Sequence, residues 1–252
     1  MILAIANNKG GVAKTTTAVN LAAALAIRGK RVLLVDMDSQ CSATLSLGIR
    51  DASATLAGVL FLGEPLRAAI TETGVQGLSI VPAHPDLSGA DLALSDVAGR
   101  ERIVSKALEP VKGQYDFIIL DSPPSLSLLV VNALVACEGF IVPTSPHYLA
   151  LEGLAGFMQA ADLIRANIGG GALLGILLTA IDYRTRAAVD IATLLRGHFK
   201  RQVFDTEIRV NTRLAEAPSY GQTIFQYDNH STGAAAYMDL AAEVLKRSRA
   251  NK

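Results

Sequence analysis

The chain has 252 residues, half of them hydrophobic, and its 23 Lys and Arg residues balance its 23 Asp and Glu residues. This length suits one large α/β domain with a substantial core, and a formal net charge of zero excludes a general electrostatic attraction to nucleic acid or membranes. With two cysteines, Cys41 and Cys137, and no signal-peptide pattern at the amino terminus, the sequence favours a reduced, cytoplasmic protein over a disulfide-bonded secreted one.

The first predicted elements are a strand, a glycine-containing turn and a helix. Residues 2–6 form an apolar strand pattern, and apolar residues recur at helical spacing over residues 18–25. The turn between them reads Asn-Asn-Lys-Gly-Gly-Val-Ala-Lys-Thr-Thr-Thr over residues 7–17. Backbone N–H groups at a helix start lack intrahelical partners, and the helix dipole there favours an anion. Because Lys14 and Thr15 stand at this start, the turn indicates a phosphate-binding loop with a place for Mg²⁺.

Two later predicted strands end in acidic residues. Apolar residues 32–35 lead to Asp36 and Asp38, and apolar residues 117–120 lead to Asp121. Ligands of open parallel sheets bind outside the carboxyl ends of the strands, so these acids should share a crevice with the loop. We expect Asp121 to hold the water shell of a metal ion and Asp36 to support that shell. Asp38 is our candidate for positioning an attacking water, the alternative being a helix N-cap or a loop acid.

The remaining pattern alternates strands with helices and contains no Pro/Ser-rich linker. Further helices are predicted over residues 55–61, 86–94, 99–111, 127–136, 149–166, 187–199 and 234–249, and further strands over residues 78–82, 139–143, 173–179 and 203–206. This alternation predicts a single doubly wound α/β domain over residues 1–252, whose mostly parallel sheet carries helices on both faces.

Residues 9–15 resemble the deviant Walker A sequence K-G-G-x-G-K-[ST] of the ParA/MinD family of P-loop ATPases at all but one position. Lys9 matches the extra lysine that distinguishes this family from ordinary P-loop proteins, and Ala13 replaces the last glycine. The resemblance covers essentially the whole chain. It includes residues 36–40, where a serine replaces the family's proline, and residues 212–221, which resemble the family segment R-[LI]-x-E-A-P-S-x-G.

The resemblance implies that the chain binds ATP and Mg²⁺ and hydrolyses ATP. The loop backbone would cradle the phosphates, and Lys14 would reach the β- and γ-phosphates. Thr15 would ligate the metal, with Asp121 holding its water shell and Asp36 supporting that shell. The expected catalytic residues are Lys9, Lys14 and Asp38. The expected nucleotide-binding residues are Lys9, Gly10, Gly11, Val12, Ala13, Lys14, Thr15, Thr16, Asn211 and Pro218. Pro218 would lie by the adenine, although a helix stop is the alternative for this proline.

Lys9 is implied to act in the active site of a second copy of the chain. In the family this lysine enters the partner's site, so ATP joins a face-to-face homodimer with Lys9 and Gly10 at the interface, and hydrolysis is slow until a partner protein stimulates it. Ala13 is the main departure from the family sequence. Alanine is acceptable there at negative φ, whereas a positive φ would cost about 1 kcal/mol.

A basic segment is the candidate DNA-binding surface. Between residues 184 and 213 the chain has seven basic residues against three acidic ones. Arg184 and Arg213 fall where ParA-like proteins carry arginines for non-specific DNA binding, and Arg186 joins this candidate set. The alternative is an ordinary solvated face.

Three functions remain open at this point. The leading one is a ParA/Soj-like ATPase that binds DNA non-specifically over the nucleoid and, with a ParB-like activator, partitions a chromosome or plasmid or positions another cargo. The second is a MinD-like membrane-surface regulator. Residues 234–249, however, predict a helix that docks on the protein rather than on a membrane. The apolar run 126–137 is too short to span a bilayer, so no membrane partner is expected. The third is an iron–sulfur electron-transfer ATPase, for which Cys41 and Cys137 are poorly placed.

Overall fold

The computed structural model describes residues 1–147 and 150–250. Its strands are β1 (Ile2–Ile5), β2 (Val32–Asp36), β3 (Thr71–Glu72), β4 (Leu78–Val81), β5 (Phe117–Asp121), β6 (Gly139–Thr144), β7 (Ala172–Ile181) and β8 (Val203–Arg209). Within the described ranges they form one eight-stranded sheet in the order β3-β4-β2-β5-β1-β6-β7-β8. Every pair is parallel except the antiparallel edge pair β3–β4. The predicted mostly parallel sheet is confirmed.

Helices connect the strands and cover the sheet. They are α1 (Lys14–Ile27), α2 (Ser42–Ser46), α3 (Leu56–Leu62), α4 (Leu66–Ala69), α5 (Ala90–Ala93), α6 (Ile103–Leu108), α7 (Leu128–Ala136), α8 (Ala150–Asn167), α9 (Arg186–Phe199), α10 (Thr212–Glu216), α11 (Ile224–Tyr227) and α12 (Thr232–Ala250). Short 3₁₀ turns, such as Ala217–Tyr220, lie between some of them.

Alternation along the central strand explains why helices lie on both faces. On β1, Ile2 and Ala4 join a core that includes residues of α3, α7 and α8, whereas Leu3 and Ile5 join a second core with residues of α1 and α12. Successive side chains of a strand point to opposite faces, so a wholly apolar strand has to be covered twice. The predicted doubly wound arrangement is thereby confirmed.

Two predicted helices are broken into shorter pieces. The helix expected over residues 86–94 is a 3₁₀ turn, Pro85–Gly89, followed by α5, with Gly89 at φ −89 and ψ 4 between them. The helix expected over 99–111 is a 3₁₀ turn followed by α6, and it ends before Pro110, which has no N–H to donate. The first residue of the helix expected over 149–166 lies outside the described residues, and α8 is described from Ala150.

The carboxyl-terminal helix α12 is docked on the body of the protein. Tyr237, Leu240 and Val244 are fully buried in the core that α12 shares with α1. The Glu243 carboxylate accepts hydrogen bonds from the backbone N–H groups of residues 205 and 206, both at 3.0 Å, and thereby joins α12 to β8. The predicted docking helix is confirmed. Within the described residues, no helix combines the length and the apolar character needed to cross a membrane.

Candidate active site

The loop and the predicted acids meet at the carboxyl edge of the sheet. Strand β5 lies between β1 and β2, and Asp121 is in register with Ile5 on one side and with Asp36 on the other. A cavity of about 530 Å³ opens at this edge, and we call it the loop cleft. Residues that line it include Gly10, Lys14, Thr15, Asp38, Pro124 and Pro218. The fold therefore brings together the phosphate loop, Asp38 as the proposed water-positioning acid, and Pro218, which is predicted to lie by the adenine.

The loop itself has the geometry of an anion site. Gly11, Ala13 and Thr16 also line the cleft, and among the described residues no side chain caps the start of α1. The N–H groups of the first turn are therefore available to an anion. Val12 differs, because its side chain is buried in the core and its carbonyl accepts a hydrogen bond from the Thr179 hydroxyl at 3.1 Å. A contact of Val12 with nucleotide would be limited to its backbone N–H.

Ala13 adopts the left-handed conformation, with φ 61 and ψ 36, immediately before α1. This is the positive-φ alternative considered from the sequence, so the alanine carries strain of about 1 kcal/mol at a position suited to glycine.

Lys14 is 7% exposed, and its Nζ donates a hydrogen bond to the backbone carbonyl of Lys9 at 2.6 Å. Burial lowers the pKa of Lys14, while the charges of Asp121 and Asp38 act in the opposite direction. The ammonium group is thus partly desolvated and spans the mouth of the loop. An anionic phosphate oxygen would be a stronger acceptor for it than a neutral carbonyl.

Asp121 supplies the observation that tests for a metal site. It is fully buried, and among the described residues neither carboxylate oxygen has a hydrogen-bond partner of ordinary geometry. Burial, followed by the charge of Asp36, raises the pKa of Asp121 well above its ordinary value, although the nearby Thr15 hydroxyl lowers it. Buried oxygens without donors are suited to a hydrated cation, since Mg²⁺ prefers oxygen ligands. The residues present therefore fit Mg²⁺.

Protein side chains alone do not complete such a site. In the part of the chain that the structure describes, no group of three or more His, Cys, Asp or Glu side chains could hold a metal ion. Mg²⁺ commonly keeps several waters and binds one or two carboxylates plus substrate phosphates. This donor set indicates a cation that arrives with a phosphate ligand.

Asp36 is occupied by protein donors. Its Oδ2 accepts hydrogen bonds from the Thr44 backbone N–H at 2.8 Å and the Thr44 hydroxyl at 2.7 Å, and its Oδ1 accepts one from the Asp38 N–H at 3.2 Å. Burial raises the pKa of Asp36 to about 6, and the hydrogen bonds from Thr44 oppose that rise. The carboxylate thus anchors the loop that carries Asp38. Its support of a metal shell remains a prediction.

Asp38 faces the loop cleft and also lines a neighbouring cavity of about 310 Å³ beside Pro123 and Pro124. Its Oδ1 accepts a hydrogen bond from the Gln40 N–H at 3.0 Å, which makes a local turn. The N-cap position of α2 is held by Cys41, so Asp38 is not that helix's N-cap. The carboxylate is positioned at the cleft by its own loop.

Lys9 extends across α8 of its own chain. Gly153 on α8 has no side chain, and a Cβ built there would clash with Lys9 Cε and lie 2.6 Å from Lys9 Nζ. Gly10, the next residue, is exposed at the rim of the cleft. Gly10 is therefore exposed at the cleft, whereas Lys9 is half-buried against α8, and the place of both residues at a dimer interface remains a prediction.

Of the two nucleotide-binding residues predicted after β8, only Pro218 lies at the cleft. Pro218 and its neighbour Ser219 line it, and the segment is held close to α2 by a contact between two left-handed glycines, Gly48 and Gly221. A Cβ at Gly221 would lie 2.7 Å from Gly48 Cα. Asn211 lies elsewhere: its side chain accepts from the Leu214 N–H and so caps α10. A contact between Asn211 and the nucleotide stays a prediction.

The candidate DNA-binding arginines lie in a different region and are paired with carboxylates. Arg184 makes two hydrogen bonds of 2.8 Å to Asp182, and Arg213 lies 3.0 Å from Glu216. Arg184 and Arg213 line a shared cleft of about 580 Å³. Arg186 begins α9 and lies 3.8 Å from Asp190.

These pairings reduce the local charge excess. The sequence window 184–213 omits three acids that contact its arginines in space: Asp182, Glu216 and Asp228. Seven bases against six acids leave an excess of one rather than four. Asp182 and Glu216 lie only two and three residues from their arginines, just outside the window, whereas the contact of Arg213 with Asp228 depends on the fold.

Comparisons with known proteins agree with this geometry. A family model described as an AAA domain matches residues 1–170. The chain is 49% identical over 248 residues to the chromosome-partitioning ATPase Soj of Thermus thermophilus, which covers 97% of this chain and 95% of that protein. It is 42% identical over 249 residues to the chromosome partitioning protein ParA of Myxococcus xanthus, with 98% and 88% covered.

A solved structure gives the same fold. Cobyrinic acid a,c-diamide synthase from Mycobacterium smegmatis, with bound ADP and magnesium, superposes with a TM-score of 0.86 at 33% identity, over 100% of this chain and 96% of that chain. The chain is 42–49% identical to partitioning proteins over nearly its whole length. Its phosphate loop has a leading lysine, and three acids lie at or just after the ends of adjoining strands. The chain belongs to the ParA/Soj family of chromosome-partitioning ATPases.

Proposed function

We propose that the chain dimerises on ATP, binds DNA non-specifically and, with a ParB-like protein that stimulates its slow hydrolysis, partitions a chromosome or plasmid or positions another cargo. It would act in the cytoplasm on the nucleoid. The observation that carries the proposal is that Lys14 and Asp38 line one cleft and that the charge of the fully buried Asp121 acts on Lys14. Identities of 49% and 42% to partitioning proteins, against 33% to the synthase, favour partitioning over the synthase's named activity.

ATP would bind with its phosphates on the loop. The N–H groups of residues 10–15 would hold the phosphate oxygens, and Lys14 Nζ would exchange the Lys9 carbonyl for a phosphate oxygen. Thr15 and Asp121 would hold Mg²⁺, which supplies charge neutralisation to the transferring phosphoryl group. Asp38, which also lines the cleft, would orient the attacking water.

Dimerisation would complete the site. Lys9 would leave Gly153 of its own α8 and enter the cleft of a second copy, where its ammonium group can neutralise charge that develops on the phosphates. The exposed backbone at Gly10 would allow the second chain to come close. ATP would thus join two chains, and its hydrolysis would release them.

The two alternatives have little support. A MinD-like membrane helix would need an apolar face on α12, but the apolar stripe of that helix is fully buried at Tyr237, Leu240 and Val244. An iron–sulfur site would need both cysteines at one surface. Cys137 follows α7 at the amino edge of β6 and is buried, and Cys41 follows the carboxyl end of β2, so the fold places them at opposite edges of the sheet.

A DNA-binding assay with Mg-ATP tests the proposal. Asp38→Ala should hold a long-lived DNA-bound state, because it keeps the phosphate contacts and removes the group that positions water. Lys14→Ala should lose ATP-dependent DNA binding, and Arg213→Glu should lose DNA binding while it keeps nucleotide binding. Gel retardation on unrelated duplexes measures DNA binding, and fluorescent-nucleotide titration measures ATP binding.

Arg165→Glu is the matched control for the charge reversal, because Arg165 lies in the last turn of α8, at the edge of the sheet away from the loop cleft. This variant should bind DNA as the wild type does. Tight DNA binding by Lys14→Ala without nucleotide would contradict the mechanism. Equal losses for Arg165→Glu and Arg213→Glu would contradict the assigned DNA surface.

A further inference from the structure

Thr44 connects the end of β2, where Asp36 lies, to the segment that follows β4. Its hydroxyl donates to Asp36 Oδ2 at 2.7 Å and accepts a hydrogen bond from the Ala83 backbone N–H at 3.0 Å. Thr44 is 6% exposed, so solvent water has little access to replace these hydrogen bonds if they are lost. The hydroxyl is therefore a fixed junction between α2, the end of β2 and the segment after β4.

Asp36 takes the place of a helix cap for α2. In the described chain, Cys41 at the N-cap position has φ 54 and no side-chain capping bond. The N–H of Thr44, the third residue of α2, is instead accepted by Asp36 Oδ2 at 2.8 Å. An N-cap side chain normally accepts from the second or third N–H of a helix, so the carboxylate of a preceding strand performs that role.

The same carboxylate holds the backbone of Asp38. Asp36 Oδ1 accepts the Asp38 N–H at 3.2 Å, while Oδ2 is held by Thr44. A rotation of the carboxylate would move all three bonds at once. Thr44 thus fixes the orientation of Asp36, and Asp36 fixes the position from which the Asp38 side chain enters the cleft.

We propose that Thr44 is a positioning residue for ATP hydrolysis, which acts through Asp36 on the placement of Asp38 and not on the binding of ATP. The proposal rests on the proposed role of Asp38 in orienting water. The phosphate loop connects β1 to α1, and the hydrogen bonds that join Thr44, Asp36, Asp38 and Ala83 involve neither this loop nor Lys14. Loss of the Thr44 hydroxyl should therefore separate hydrolysis from nucleotide affinity.

Thr44→Val removes the hydroxyl and keeps a branched side chain. The kcat of the full-length chain for ATP should fall roughly 10- to 100-fold, the scale for a displaced catalytic group, while KM and the Kd for ATP stay within about twofold of wild type. Thr44→Ser restores the hydroxyl and should recover kcat to within about threefold of wild type. Hydrolysis is measured as phosphate release, and Kd with a fluorescent nucleotide.

Thr73→Val is the matched control. The Thr73 hydroxyl likewise bonds on both sides: it donates to the Leu78 carbonyl at 2.7 Å, with the Val75 carbonyl as a longer acceptor at 3.3 Å, and it accepts from the Val75 N–H at 3.1 Å. It lies beside β3, away from the cleft. The melting temperature of Thr73→Val should fall by about as much as that of Thr44→Val, because each loses a hydroxyl with partners on both sides. The kcat of Thr73→Val should stay at the wild-type value. If Thr44→Val does not fold, Thr44→Ala removes the same hydroxyl with less bulk, and the same separation is expected.

A kcat for Thr44→Val within twofold of wild type would overturn the proposal, as would a parallel loss of kcat and ATP affinity that Thr44→Ser does not recover. These readouts use no DNA and no partner protein. A wild-type chain that hydrolyses ATP but fails to bind DNA would contradict the proposed partitioning function and leave the Thr44 result intact.

Discussion

Ala13 shows how one residue can carry strain inside a binding loop. Its φ of 61 and ψ of 36 are angles at which the Cβ of an L-residue crowds the backbone. The conformation is held by the first turn of α1, because the Ala13 carbonyl accepts the Thr17 N–H at 2.9 Å. The strain is therefore stored where the phosphate loop enters the helix.

Replacement of this alanine by glycine should stabilise the chain. We expect Ala13→Gly to raise the free energy of unfolding by about 0.5–1 kcal/mol, since relief of the left-handed strain exceeds the entropy that glycine adds to the unfolded chain. Urea unfolding without nucleotide measures the change.

The same substitution in a regular helix provides the control. Ala155 is exposed in α8, and Ala155→Gly should lower the free energy of unfolding by about 1 kcal/mol. Similar destabilisation at both positions would show that Ala13 is not strained.

Some residues of the candidate site can be predicted from the sequence, and others cannot, for a physical reason. Asp36, Asp38 and Asp121 were predictable because each follows an apolar strand, and the carboxyl ends of parallel strands share one edge. Thr44 was not predictable, because its contact with Asp36 depends on the left-handed turn at Cys41. That conformation has no local sequence pattern, since glycine is absent from the position.

The elements differ in how well the sequence predicts them. Central strands such as β2 and β5 are continuous apolar runs and were predicted to within a residue or two of their ends. The short helices α2 and α4 and the two-residue strand β3 were not predicted. Helices of one or two turns are not stable by propensity alone, so their formation depends on packing that no local pattern contains.

The connection that follows β7 keeps a candidate DNA-binding arginine engaged within the chain. Asp182 binds Arg184 through two parallel hydrogen bonds of 2.8 Å, the geometry with which an arginine also binds phosphate. The hydrogen bonds that the Arg184 side chain and backbone donate, together with the charge of Arg184, lower the pKa of Asp182 to about 2, so the carboxylate is ionised at neutral pH. A DNA phosphate would have to compete with it.

Removal of this competitor should strengthen DNA binding. We expect Asp182→Asn to raise the affinity for non-specific duplex DNA several-fold and to steepen the dependence of log K on log[salt] by up to about one unit, as for one further phosphate contact. Fluorescence anisotropy at several salt concentrations measures both quantities.

Glu109→Gln makes the same change of charge at a distance. Glu109 is exposed, pairs with Lys112 at 2.9 Å, and follows α6 toward the amino edge of β5. Its affinity and salt dependence should match those of the wild type. Equal gains for the two variants would assign the effect to net charge rather than to the Arg184 pair.

For the whole molecule, one chain contains only part of the proposed active site. The cleft is lined by the loop, the desolvated Lys14 and the half-buried Asp38, whereas Lys9 lies across Gly153 on α8. The family resemblance explains this arrangement if Lys9 acts in a second copy. We therefore propose that ATP joins two chains and that Lys9 is needed for the dimer to form.

The most direct test is the mass of the protein in solution with saturating Mg-ATP, measured by sedimentation equilibrium on a background that does not hydrolyse ATP. Asp38→Ala should have twice the chain mass of 26.5 kDa. Asp38→Ala with Lys9→Ala should have the mass of one chain, and Asp38→Ala with Lys106→Ala, which removes an exposed lysine on α6, should remain dimeric. A dimer that persists without Lys9, or a monomeric Asp38→Ala protein with ATP bound, would contradict the shared site.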